Sequence, residues 1–230
     1  MKEKILCIIP ARANSKRLTK KNIIDLCGKP LIYYSIKAAK ESKYISRFVV
    51  STDSMEIGQI ATDFGADVII RPDYLATDTA TSFDVVKHVL DHLNGNFDLV
   101  LLLEPTSPLR APKDIDNAIQ LFLSEYAKGN NPEAVVSVGK IALENPYIAK
   151  IINRDGFIES LIKGKEQKIA YFPYGVIYLV KVKAFLDQKT FYPKRTLPYF
   201  IERWQNYEVD DIYDLKCVEA IMKFMALDRG

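Results

Sequence analysis

Both familiar phosphate-loop patterns are missing from the first 22 residues. There is no G-x-x-x-x-G-K-[ST] and no G-x-G-x-x-G. Cysteine is sparse. Cys7, Cys27 and Cys217 are widely spaced and form no C-x-x-C pair, which excludes a zinc ribbon or disulfide scaffold and leaves reduced thiols in a cytoplasmic protein. The N-terminus, Met1-Lys2-Glu3-Lys4, leads to five apolar residues and then proline, too short for a signal-peptide core or a membrane span. Net charge is only +3, from 32 basic and 29 acidic side chains, so a general nucleic-acid binder is not indicated. Repeats, low-complexity segments and interdomain linkers are absent. The two histidines, His88 and His92, have the i, i+4 spacing of helical zinc ligands but lack the His-Glu-x-x-His order and a third partner. They read as a solvated helix face.

What is present begins at Ile5-Leu6-Cys7-Ile8-Ile9. This unbroken apolar run predicts a strand buried on both faces at the centre of a parallel sheet. The loop after it carries five cations (Arg12, Lys16, Arg17, Lys20, Lys21) with Asn14, Ser15 and Asn22 among them. Ligands of open α/β sheets bind beyond the carboxyl ends of the strands, so a basic loop there is placed to hold a polyanion such as a nucleoside triphosphate. The alternative is a solvated basic patch.

The chain then alternates. A helix is predicted from Lys29-Pro30 to about Ser42, a strand over 48–53, a helix from Ser54 to Phe64 stopped by Gly65, and a strand over 68–70 ending at Arg71-Pro72. Thr81 and Asp84 form a capping-box pattern ahead of a helix to Leu93. Phe97–Leu103 is the most apolar strand. It is followed by Glu104, Thr106, Ser107 and Arg110, polar groups at a strand's carboxyl end. A helix to about Tyr126, strands over 134–138 and 175–180, and an amphipathic helix over 212–225 complete the pattern. Residues 140–170 read as an excursion, a probable dimerisation arm. The aromatic segment 191–200 suits a binding wall, core packing or a dimer interface. The order predicts one 230-residue domain of Rossmann-like α/β class with a mostly parallel central sheet.

Several motifs together resemble the acylneuraminate cytidylyltransferase (CMP-sialic acid synthetase) family nearly end to end. They are Ile9-Pro10-Ala11-Arg12-Ala13-Asn14-Ser15-Lys16-Arg17-Leu18 with Lys21-Asn22, Ser51-Thr52-Asp53, Arg71-Pro72 with Leu75-Ala76-Thr77-Asp78-Thr79, Pro105-Thr106-Ser107-Pro108-Leu109-Arg110, and Gly175-Val176-Ile177-Tyr178. The resemblance implies a three-layer nucleotidyltransferase fold, usually dimeric. It implies transfer of CMP from CTP to the anomeric hydroxyl of a nine-carbon keto acid sugar, with Mg2+ and release of pyrophosphate.

Carried onto this chain, the resemblance gives Arg12, Ser15, Lys16, Lys21 and Asn22 to the triphosphate and ribose. Arg71 and the backbone at Ala80 go to cytosine, with Ser82 between nucleotide and sugar. Arg12, Lys21 and Asp210 would be catalytic. Glu104, Thr106, Ser107 and Tyr178 would line the sugar pocket, and Asp210 with Glu208 would hold the metal. Three positions depart from the pattern. Glu104 stands where many members have glutamine, Tyr174-Gly175 where sialic acid binders usually have Asn-Gly, and Glu208-Val209-Asp210 where the metal pair is usually Asp-x-Asp. The basic segment before the Gly175 strand is shortened, with Lys163, Lys165 and Lys168 nearby. The departures fall on the acceptor side and the metal, so a legionaminic or pseudaminic acid is as compatible as sialic acid. A nucleotidyltransferase for another sugar or base, and a non-catalytic nucleotide binder of the same fold, are the alternatives.

Overall fold

The computed structural model describes residues 3–93, 95–141, 145–162 and 169–227. The elements in chain order are β1 (Ile5–Pro10), β2 (Asp25–Leu26), β3 (Lys29–Pro30), α1 (Leu31–Glu41), β4 (Arg47–Thr52), α2 (Met55–Asp63), β5 (Asp67–Ile70), α3 (Ser82–Leu93) and β6 (Leu99–Leu102). There follow α4 (Pro112–Ala127), β7 (Ala134–Lys140), β8 (Lys150–Ile152), β9 (Ile158–Ser160), β10 (Tyr171–Lys181), α5 (Val182–Gln188), β11 (Thr196–Phe200) and α6 (Ile212–Leu227).

Seven strands form one sheet in the order β11-β7-β10-β6-β1-β4-β5. β1 pairs in parallel with β4 and β6, β4 with β5, and β7 with β11. β10 alone runs antiparallel, to both β6 and β7. The central place of β1 follows from its sequence. Ile5, Cys7 and Ile9 enter one core with Ile32 and Ile36 of α1, Ile57 of α2 and Ile119 of α4. Leu6 and Ile8 enter the other with Val86 and Val89 of α3 and Phe185 of α5. A strand covered on both faces has no polar side to show, which is why the run does not alternate. Each fully buried aliphatic side chain there is worth roughly 1.5–3 kcal/mol.

Where the structure departs from the sequence reading, local geometry explains it. Before α1 the chain makes a β2–β3 hairpin whose turn residues, Cys27 and Gly28, have φ of 51° and 81°. Two-residue strands leave no periodicity to read. Of the readings open for segment 191–200, packing is the one seen, and none of it lines the central cavity. Phe191 packs on Phe185 and Tyr178 in the core, and 196–200 form the edge strand β11. In the excursion β8 and β9 form a separate hairpin, while residues 142–144 and Lys163, Lys165 and Lys168 lie outside the described residues. No described helix is long and apolar enough to cross a membrane.

Candidate active site

The carboxyl ends of β1, β5 and β6 open into a cavity of about 390 Å³. Its lining includes Arg12, Ser15, Lys16, Lys21, Asn22, Arg71, Ala80, Ser82, Glu104, Thr106 and Asp210. All eight residues assigned to the nucleotide from the sequence therefore meet there. The loop after β1 is held in shape by side-chain bonds to its backbone. Asn22, buried, donates to the carbonyl of Arg12 at 2.9 Å, and the amide of Ala13 donates to Asp53 at the end of β4 at 2.9 Å. These anchors leave the Arg12, Lys16 and Lys21 side chains free to face the cavity.

Acidic partners hold those cations. Asp78 pairs with Arg12 at 2.9 Å and Lys16 at 2.7 Å, and their hydrogen bonds hold its carboxyl below the usual carboxylate range. Asp210 pairs with Lys21 at 2.8 Å and Arg17 at 3.2 Å, and the Lys21 hydrogen bond lowers it likewise. Lys20 turns away to Glu56 at 2.8 Å. An anionic ligand can replace carboxylates in such a cradle at little cost, because the cations are already positioned. Arg71 is buried with Asp53 at 3.8 Å, and its Nε has no partner among the described residues. Burial lowers its pKa despite that carboxylate. A polar ligand edge would satisfy the orphaned donor. The start of α3 adds a helix N-terminus, and the expected capping box forms. The Thr81 amide donates to Asp84 at 3.1 Å, and the Asp84 amide to the Thr81 hydroxyl at 3.2 Å.

Across the cavity, Glu104 follows β6. Arg110, a buried guanidinium, donates to the Glu104 carbonyl at 3.0 Å, the Gly175 carbonyl at 2.7 Å, the Val176 carbonyl and the Ser35 hydroxyl at 2.8 Å. Burial depresses its own pKa to about 10. Among the described residues no hydrogen bond reaches the Glu104 carboxylate, and burial, with Glu208 adding to it, pushes that group up to about 7.

The cavity does not take in the whole sugar-binding set. Ser107 is buried and donates to Glu208 at 2.6 Å, because the turn after β6 folds it inward. Tyr178 sits on β10 with its ring against Phe191 and Tyr192. Neither these two nor Glu208 lines the cavity that Asp210 faces. Arg17 and Arg110 stand in the sequence reading only as a loop cation and a strand-end polar group, and Asp53 and Asp78 only as members of the shared motifs. Their positions at strand ends and inside the shared motifs were the available signal.

No group of three or more His, Cys, Asp or Glu side chains able to hold a metal occurs among the described residues. His88 and His92 stay a pair, with ring centroids 6.2 Å apart. The donor set does fit magnesium bound together with a triphosphate, since that ion takes one or two carboxylates and draws its other oxygens from phosphate and water. Asp210 offers one such carboxylate beside the cationic cradle.

This three-layer sheet with a cationic loop after its central strand is the fold of known nucleotidyltransferases. A solved structure of CMP:2-keto-3-deoxy-manno-octonic acid synthetase complexed with CTP superposes with a TM-score of 0.71 at 20% identity, covering 97% of this chain and 100% of that one. A 4-diphosphocytidyl-2C-methyl-D-erythritol synthase from Anaerococcus prevotii gives 0.66 at 14% identity, over 96% and 99%. The chain belongs to the cytidylyltransferase family, which it matches over residues 6–225. It is 35% identical to a CMP-N,N'-diacetyllegionaminic acid synthase of Legionella pneumophila, over 96% of this chain and 97% of that protein. It is 32% identical to an N-acylneuraminate cytidylyltransferase of Escherichia coli O18:K1:H7, over 97% of this chain but 53% of that protein, so it spans about half the length of that relative. A pseudaminic acid cytidylyltransferase of Campylobacter jejuni is 31% identical over 96% and 97%.

Proposed function

We propose that this protein transfers CMP from CTP to the anomeric hydroxyl of a nine-carbon keto acid sugar, giving a CMP-sugar and pyrophosphate. The observation that carries the reading is the meeting of Arg12, Lys16 and Lys21 with Asp210 and Glu104 in one cavity of a cytidylyltransferase-family chain. The sugar oxygen forms a bond to the α-phosphorus of CTP, and the bond from that phosphorus to the bridging oxygen breaks. Phosphoryl chemistry of this kind is accelerated mainly by positioning and by charge stabilisation. Arg12, Lys16 and Lys21 take the charge that passes to pyrophosphate. Arg71 and the backbone at Ala80 hold the base, and Ser82 lies between nucleotide and sugar. Glu104, with a carboxyl near 7, accepts the proton that the sugar hydroxyl loses. Asp210 would hold magnesium with the triphosphate, and that ion would neutralise charge on the phosphate oxygens.

The acceptor class is supported by relatives matched over nearly their whole length, named for legionaminic and pseudaminic acids. We further propose that the protein acts as a homodimer through its arm. Ile152, Phe157 and Ile158 on the β8–β9 hairpin are 77%, 70% and 73% exposed. Large apolar side chains left this exposed on one short hairpin are usually covered.

The test is pyrophosphate release with Mg2+, each of CTP, UTP, GTP and ATP, and N,N'-diacetyllegionaminic, pseudaminic and N-acetylneuraminic acids. Release confined to CTP and dependent on a sugar is expected. Release with another nucleotide, or with none, overturns the reading.

A further inference from the structure

We propose that Glu208 sets the acceptor wall of the cleft as a hydrogen-bond anchor and not as a metal ligand. The proposal deepens the nucleotidyl-transfer reading and rests on it for the location of that wall.

β10 loses its register against β7 between Pro173 and Tyr178, so its backbone there is released from the regular ladder. Irregularities of this kind re-aim a strand beside a site, and their freed amides and carbonyls need other partners. Three side chains supply them. The Ser137 hydroxyl accepts from the Ile177 amide at 2.8 Å and lies 2.5 Å from the Tyr174 carbonyl. Arg110 donates to the carbonyls of Gly175 and Val176. Glu208 Oε1 accepts from the Gly175 amide at 2.6 Å and from the Ser107 hydroxyl at 2.6 Å.

Glu208 therefore ties the irregular stretch of β10 to the turn that carries Glu104 and Thr106. The fit is close. A Cβ built on Gly175 would lie 2.8 Å from Glu208 Oε1, 2.9 Å from Ser107 Oγ and 3.0 Å from Glu104 Cβ. Only glycine lets the three segments converge.

Two residues later the chain does something different. The Val209 amide donates to the Thr106 carbonyl at 2.7 Å, which fixes the segment, and Asp210 turns to Lys21 and Arg17. Alternation along an extended segment puts Glu208 and Asp210 on one side. Their partners separate them. Both lone-pair positions of Glu208 Oε1 already serve donors, and Glu208 does not line the cavity that Asp210 faces.

The two roles make opposite demands on length and charge. Glu208→Asp keeps the charge but withdraws the oxygen by one methylene, about 1.5 Å, beyond hydrogen-bond reach of both donors. Glu208→Gln keeps an accepting oxygen at full length but loses the charge that a metal wants. The full chain would be melted in chelator-containing buffer. Mn2+ binding to the CTP-loaded protein would be followed by electron paramagnetic resonance, and KM measured for CTP and for N,N'-diacetyllegionaminic acid.

An anchor predicts that Glu208→Asp lowers the melting midpoint by roughly 5–10 °C while Glu208→Gln stays within about 3 °C of wild type. It predicts that Glu208→Asp raises the sugar KM about tenfold with the CTP KM changed less than about twofold, and that Mn2+ affinity moves by less than about twofold in both variants. An approximately tenfold loss of Mn2+ affinity in Glu208→Gln with Glu208→Asp spared would overturn the proposal. So would unchanged midpoints in both. If the wild type releases no pyrophosphate, the functional reading fails, while the order of the two midpoints still decides the anchor.

Discussion

Glu104→Gln should flatten a pH dependence of stability that the wild type carries. Burial, reinforced by Glu208, raises the Glu104 carboxyl from 4.5 to about 7. Between those values the folded chain holds a proton that the unfolded chain has released. Stability therefore falls as pH rises from about 4.5, and levels off above about 7. Two and a half decades of unequal proton binding, at about 1.4 kcal/mol each, come to at most about 3.5 kcal/mol. For a chain of this length that is a melting shift of roughly 7–14 °C. Glutamine fills the same volume and does not titrate. The variant and wild type should melt within a few degrees of each other at pH 5, and the variant should melt higher by up to that shift at pH 8. The assay is thermal unfolding of both proteins from pH 5 to 8.5 without nucleotide or metal. Titrating groups that do not interact with Glu104 cancel in the difference. Curves that stay parallel across the range, or a wild type that gains on the variant as pH rises, would refute the reasoning.

Lys21→Ala and Arg12→Ala should each lower CTP-dependent pyrophosphate release by about a hundredfold or more, with the melting midpoint little changed, because each removes one preorganised charge from the cradle; near-normal turnover in either would refute the triphosphate assignment. Asp210→Asn should raise the magnesium concentration needed for half-maximal release by about tenfold; an unchanged titration would remove Asp210 from the metal site. Lys substitutions at Ile152 and Ile158, which face each other across the hairpin, should convert a dimer to a monomer by light scattering without lowering the melting midpoint of the fold; a monomeric wild type would refute the arm's role.

The parts of the fold that could be read from the sequence are those with a strong local signal. β1 announced itself because an apolar run of that length with no polar alternate has one comfortable place in an α/β protein, and the capping box at Thr81 and Asp84 formed as written. The sequence pattern supports a strand over 175–180 where β10 is Tyr171–Lys181, since Pro173 looks like a strand breaker until the side-chain anchors around it are seen. α5 has seven residues and β11 contains Pro198, so neither offers a period. At the site, the cationic loop and Arg71 were legible by position. That Asp78 closes on Arg12 and Lys16, or that Glu208 and Asp210 part ways after two residues, depends on distances no sequence pattern encodes.

The most direct test is a single incubation of the full chain with CTP, Mg2+ and the three nine-carbon keto acid sugars separately, read by mass spectrometry. The account predicts a product with the combined mass of CMP and one of those sugars, formed with equimolar pyrophosphate and absent when CTP is replaced by UTP. Intact CTP with every sugar, at an enzyme concentration where the protein binds CTP, would contradict it.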